Sequence, residues 1–184
     1  MKTTLVKDVM VPLSEYATVS QDATLFEAVQ ALKEAQASYD QSKYRHRAIL
    51  IYDENQRIVG KVSFISILRG LEPKYNSMLS DKGPMHLGFT TTFQRAIIEQ
   101  LQLWDDPLDD LCAKAASVKV KSFMATPGPD EQVALDATLN EAIHYLVMGH
   151  HQSLMVMDGD EVVGLLRLTD VFDLVADAIS KCGI

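Results

Sequence analysis

The apolar positions of this chain follow two alternating rhythms, and the whole alternation occurs twice. From Leu25, apolar side chains recur at Ala28, Val29 and Leu32, the spacing of one helix face, and Leu139, Ala142, Ile143 and Leu146 repeat it. Each run opens on Thr-x-x-Glu, as Thr24 and Glu27 or as Thr138 and Glu141. At that spacing the two side chains satisfy free N–H groups at a helix start reciprocally. Continuous apolar runs over 48–52 and 153–157 then read as buried strands, each followed by a polar turn, Asp53-Glu-Asn-Gln or Asp158-Gly-Asp. Second strands over 58–62 and 162–166 lead into closing helices at about 64–71 and 168–179. A short extended piece, Ala17-Thr-Val19 or Val133-Ala-Leu135, precedes each first helix. The predicted order is β-α-β-β-α, twice, an α+β chain.

The repetition extends to residue identity. Shifted by 114 positions, Val6-Lys7-x-x-Met10 falls on Val120-Lys121-x-x-Met124. At the same shift Val19-x-x-Asp22-Ala-Thr-Leu25-x-Glu27-Ala28 falls on Val133-x-x-Asp136-Ala-Thr-Leu139-x-Glu141-Ala142. These are ten identities over residues 6–28, where ordinary amino-acid usage gives about one or two. The copies differ in one length. Fifteen residues (33–47) separate Leu32 from Ala48, against six (147–152) between Leu146 and Ser153. The nine extra include Lys43-Tyr-Arg-His-Arg47, a dense basic run that reads either as a solvated loop or as a phosphate-facing one.

Residues 72–119 connect the copies. Pro73, Gly83-Pro84 and Gly88 punctuate the first half as loop. Thr91-x-x-Gln94 then opens a helix through Phe93, Ile97, Ile98 and Leu101, and Asp106-Pro107 opens another with Leu108, Leu111, Cys112 and Ala115. Trp104 sits at their joint. So apolar a connector is expected to pack on the body of the protein or on a partner subunit.

Composition narrows the function. At 184 residues, 47% hydrophobic and 23% charged, the chain is an ordinary globular one. A net charge of −8 argues against nucleic acid, whose phosphates require clustered Lys and Arg. No apolar stretch approaches the roughly 18–20 residues that span a bilayer. With two distant cysteines, Cys112 and Cys182, and no apolar signal core, a cytoplasmic setting is expected. The histidines lack a supporting Cys or acid cluster at zinc spacing, so no metal is expected, and His150-His151 at a helix end suits the C-terminal dipole. Asp105-Asp106-Pro-Leu-Asp109-Asp110 lacks the glycine and closing glutamate of a calcium loop. Met148, Met155 and Met157 are expected to fill cores. No nucleophile or acid–base constellation is present, and no catalysis is expected.

The tandem unit, opening near Val-x-x-x-Met and closing on Val59-Gly60 or Val163-Gly164 before a helix, resembles a pair of CBS domains, the Bateman module. The resemblance gives a first CBS domain over 6–71, a helical connector over 72–119 and a second CBS domain over 120–180. It implies units packed sheet to sheet about a pseudo-twofold axis. It also implies clefts that take AMP, ADP, ATP or S-adenosylmethionine as ligand rather than a cofactor, a homodimer, and signalling to an effector protein. A ligand-free dimerisation scaffold is the rival reading.

The family's ligand signature is Gly, two apolar residues, Ser or Thr, two residues, then Asp. Its hydroxyl and acid stand at the start of the closing helix, where free N–H groups favour phosphate and a carboxylate can accept ribose hydroxyls. This chain splits it. The first copy, Gly60-Lys-Val-Ser63-Phe-Ile-Ser66, keeps the hydroxyl but has Ser66 in place of the acid. The second, Gly164-Leu-Leu-Arg167-Leu-Thr169-Asp170, keeps the acid but has Arg167 in place of the hydroxyl. Arg167 could hold a phosphate, or fill the cleft and pair with Asp170. The resemblance further puts the adenine against Ala17-Thr18-Val19 in one copy and Gln132-Val133 in the other. Arg47-Ala48 and His151-Gln152-Ser153 would form the rims. An adenosine ligand is expected to bind first around Asp170, about one per chain.

Overall fold

The structure is a computed structural model; it describes residues 3–38, 46–72, 74–75, 95–97, 99–100 and 108–181. Trp104, Cys182 and residues 43–45 of the basic run lie outside these. The first copy supplies β2 (Thr18–Ser20), α1 (Leu25–Ser38), β3 (Ala48–Tyr52), β4 (Ile58–Ser63) and α2 (Phe64–Leu71), after a short strand β1 (Val11–Pro12). Residues 95–97 and 99–100 of the connector are helical, and its second predicted helix is α3 (Leu108–Ser117). The second copy supplies β5 (Gln132–Ala134), α4 (Leu139–Met148), β6 (Ser153–Asp158), β7 (Glu161–Arg167) and α5 (Leu168–Ser180). The predicted order β-α-β-β-α is present twice.

Each long strand carries an unbroken apolar run because both of its faces are covered. In β3, Ile49 and Ile51 point into a core with Leu25, Ala28 and Leu32 of α1, while Leu50 between them points the other way. In β6, Leu154 and Val156 meet Leu139, Ala142 and Leu146 of α4, while Met155 faces opposite. Leu50, Met155, Leu165, Val11 and Tyr16 form a third core, with Met157 packed against it, and this core joins the two sheets. Period two along the strand thus divides one run between two cores. Met155 and Met157 fill that central core as expected, whereas Met148 is 68% exposed near the end of α4.

The sheets are ordered β2-β3-β4 and β1-β7-β6-β5. In each unit the opening strand runs parallel to the second, β2 with β3 and β5 with β6, and the third runs antiparallel. The second sheet gains a fourth strand from the other copy: β1 pairs antiparallel with β7, Val11 opposite Leu165.

That pairing is half of a reciprocal exchange. Val6 N–H donates to Ala137 O at 2.9 Å, and 114 residues later Val120 N–H donates to Ala23 O at 2.9 Å. Lys7 N–H reaches Leu135 O and Lys121 N–H reaches Gln21 O, both at 3.1 Å. Leu139 N–H donates to Thr4 O, and Leu25 N–H donates to Val118 O. The segment ahead of each copy therefore docks on the other copy: Val6 is buried among Val133, Leu139 and Leu166, and Val120 and Phe123 are buried among Val19, Leu25 and Ile51. These matched bonds express the pseudo-twofold relation directly. Residues 6–12 belong in sequence to the first unit and in space to the second.

Gly60 and Gly164, the glycines of the two Val-Gly pairs, are needed for this docking. A Cβ on Gly60 would lie 2.9 Å from Ala125 O, and one on Gly164 would press into Val11 O.

Candidate functional site

Both β-α corners that close the units open on one cleft. Its walls carry Tyr16, Arg47, Ala48, Lys61, Ser63 and Ser66 from the first unit's side, and Glu131, His151, Ser153, Arg167 and Thr169 from the second's. The cleft volume is about 570 Å³, within the range of small-molecule sites. Ala48 pairs with Ser63, and Ser153 with Arg167, so the start of each second strand lies beside the end of each third strand. The exposed starts of α2 and α5 follow at once, placing two helix N-termini at this end of the molecule, with Ser66 N–H held by Ser63 Oγ and Leu168 N–H by Gln152 O.

The two helix starts differ in chemistry. Ser63 caps α2: its Oγ accepts from Ser66 N–H at 3.3 Å and lies 3.0 Å from Ser66 Oγ. Ser66 is buried, its hydroxyl committed to this local turn. At the equivalent place Arg167 precedes α5 without a side-chain cap. Its guanidinium forks onto Asp170 instead, Nε to Oδ2 and an Nη to Oδ1, both at 2.5 Å. The buried Arg167 side chain therefore pairs with Asp170 and also lines the cleft. Asp170 itself does not reach the cleft wall.

A second charged contact joins the units. Lys61 on β4 is buried, and its Nζ donates to Glu131 Oε1 at 3.0 Å and to Ser153 O at 3.3 Å. His151 lies beside Glu131 too and beside a second acid, with Nδ1 3.5 Å from Glu131 and Nε2 3.4 Å from Asp130. The left-handed residue that stops α4 is His150, φ 53°, with His151 N–H closing back onto Leu146 O. In the first copy the corresponding histidine, His46, is buried against the Tyr16 ring at a centroid distance of 4.3 Å. Burial, then the nearby Arg167 charge, hold His46 below the ordinary histidine pKa.

Of the residues expected at a ligand, Arg47, Ala48, Ser63, Ser66, His151, Ser153, Arg167 and Thr169 come together around this cleft. Four do not line it. Val133 is a core residue of the second unit, because its place in β5 turns it toward α4. Thr18 is exposed on β2, Gln132 donates to Pro127 O at 3.4 Å, and Asp170 stands behind Arg167. Sequence reasoning missed Lys61, Glu131, Tyr16 and Arg69, which line the cleft as well. Lys61 had a signal: a lysine inside the otherwise apolar β4, where β7 has Leu165.

Four cationic side chains line the cleft, Arg47, Lys61, Arg69 and Arg167, against one acid, Glu131, in a chain of net charge −8. Arg47 and Arg69 have no acidic partner among the described residues. Among those residues no group of three His, Cys, Asp or Glu could hold a metal ion, and no helix is long and apolar enough to cross a membrane.

Among curated proteins no sequence matches this one. Solved structures share its fold. CBSX2 from Arabidopsis thaliana is 21% identical, with a TM-score of 0.59 over 96% of this chain and 97% of that one. A structure of CBSX2 in complex with AMP is 20% identical, with a TM-score of 0.59 over 95% and 97%. The CBS domain of a CBS domain-containing membrane protein from Sphaerobacter thermophilus is 17% identical, with a TM-score of 0.62 over 94% and 88%. The model of the CBS domain matches twice, over residues 6–73 and 120–177, one match for each copy of the repeat. With both copies matched and paired through exchanged leading segments, the chain belongs to the CBS-domain family and carries two of its domains.

Proposed function

We propose that this CBS pair is a non-catalytic regulatory module. It binds an adenine nucleotide or related adenosyl ligand between its domains and passes the bound state to a partner protein. The observation that carries this reading is the convergence of Arg47, Lys61, Arg69, Arg167 and two helix starts on one cleft of an otherwise acidic chain. Such a cleft favours an anion over a neutral or cationic ligand. The AMP bound by CBSX2, a protein of the same fold, supports the nucleotide class. The module acts as a homodimer in the cytoplasm. Phe64, Ile65 and Leu68 on α2 and Leu168, Phe172 and Ile179 on α5 stand exposed, an apolar surface that a second copy would cover.

One observation favours the rival scaffold. The Arg167–Asp170 and Lys61–Glu131 pairs supply cleft-side charges with internal partners. A thermal-shift series with AMP, ADP, ATP and S-adenosylmethionine separates the readings. A ligand selective for the folded state at about 100 times its Kd adds about 2.7 kcal/mol of stability. A midpoint raised by a nucleotide supports the sensor, and no shift with any of the four supports the scaffold.

A further inference from the structure

We propose that the cleft recognises the polyphosphate of its ligand and makes no use of the ribose diol, so that it takes nucleoside triphosphates whatever their sugar hydroxyls. This inference rests on the nucleotide-binding reading above and narrows it.

Gripping a ribose diol requires an acceptor for two hydroxyl protons, which a carboxylate provides and a serine hydroxyl provides poorly. The first copy places Ser66 there, buried and engaged with Ser63. The second places Asp170 there, but both of its oxygens carry an Arg167 N–H, and Arg167 rather than Asp170 forms the cleft wall. A ribose approaching from the cleft meets a guanidinium, which has donors only.

The same substitution that removes the sugar acceptor adds a phosphate donor. Arg167 joins Lys61 on the wall, and Arg47 and Arg69 have no acidic partner among the described residues. The N-termini of α2 and α5 stand at the same cleft, with Ile65 and Thr169 in its lining. Cations drawn from both units suit an extended anion, since a single phosphate can satisfy only some of them at once. A sulfonium ligand such as S-adenosylmethionine is disfavoured by the same charge.

Calorimetric titration of the unaltered full chain tests this with ATP, 2′,3′-dideoxy-ATP, AMP, adenosine and inorganic tripolyphosphate. The expected result is that dideoxy-ATP binds within about threefold of ATP, tripolyphosphate within about tenfold, and AMP at least about tenfold more weakly. Asp170→Asn should leave ATP affinity within about threefold, whereas Arg47→Ala with Arg69→Ala should lower it at least about tenfold. Dideoxy-ATP weaker than ATP by tenfold or more, or AMP as tight as ATP, overturns the inference while leaving the nucleotide reading intact. No binding by any of the five to the folded chain overturns both.

Discussion

Adding one methyl group at Gly164 tests whether the exchanged segments hold the two domains together. The backbone of β1 passes over this glycine, and a Cβ there would drive into Val11 O, with Pro12 Cα and Met10 Sδ each at 3.2 Å. The Met10 side chain can shift but the backbone cannot give cheaply: Val11 is a β1 residue paired with Leu165 and buried in the core between the sheets. Forcing a methyl into a packed site costs about 1–3 kcal/mol, less about 0.4–1 kcal/mol recovered because alanine has fewer unfolded conformations than glycine. The clash is with backbone, so Gly164→Ala should fall at the upper end, with a net loss of about 2 kcal/mol. For a chain of this length that lowers Tm by roughly 4–8 °C.

Two other glycines provide the scale. Gly60→Ala brings its methyl 2.9 Å from Ala125 O, whose exchange is a single bridge to Lys61, so its cost should be smaller, about 1 kcal/mol. Gly159→Ala meets nothing within 4 Å but must hold φ +59°, which also costs about 1 kcal/mol and touches no segment. Urea unfolding of the three variants gives the order. A Gly164→Ala loss no larger than that of Gly159→Ala would refute the claim that close docking of residues 6–12 is what this glycine serves.

Val6→Ala should destabilise the second domain and Val120→Ala the first, each by about 1.5–3 kcal/mol for two buried carbons and the cavity they leave; hydrogen exchange on α4 and α1 reads which domain loosens. Glu131→Gln, which strands the buried Lys61 ammonium, should cost about 1.5–3 kcal/mol, and Lys61→Met less, since it removes the charge as well; the reverse order in urea unfolding would contradict the contact. His46 has a depressed pKa in the fold, so below its unfolded value of about 6.5 the unfolded chain binds a proton that the folded chain refuses. Stability is therefore complete above that pH and declines as pH falls beneath it, and His46→Gln should flatten the drop in urea midpoint between about pH 7.5 and 5.5. Phe172→Asp with Ile65→Asp should halve the mass measured by light scattering at micromolar concentration; a wild-type monomer would remove the homodimer.

The elements were legible because each is set locally. The apolar runs at 48–52 and 153–157, the Thr24–Glu27 box and the helical stripe from Leu25 depend on neighbours within a turn or a strand, and the structure keeps them within a residue or two. Thr24 N–H donates to Glu27 Oε2 at 2.6 Å, and Glu27 N–H returns to Thr24 Oγ1 at 3.2 Å. The exchange of leading segments was not legible. Val6 and Val120 were visible as repeated residues, yet an internal repeat is blind to partner choice. Docking each segment on its own unit or on the other conserves the same identities. Only the distances between the units decide it.

The candidate site was legible at the level of positions and not at the level of pairs. Equivalent places in the two copies hold different chemistry: Tyr16 faces His46 where Asp130 faces His151, and Ser63 bonds Ser66 where Arg167 bonds Asp170. Repetition predicts that these places correspond, and they do. It cannot predict their partners, which lie three residues away for Ser63 and Arg167 but 70 residues away for Lys61, paired with Glu131. The split signature therefore describes a cleft whose two ends have diverged together. One end closes its hydroxyl turn on itself. The other makes the surviving acid half of an ion pair whose guanidinium lines the cleft, and in the function proposed above the charge of the cleft, more than that acid, selects the ligand.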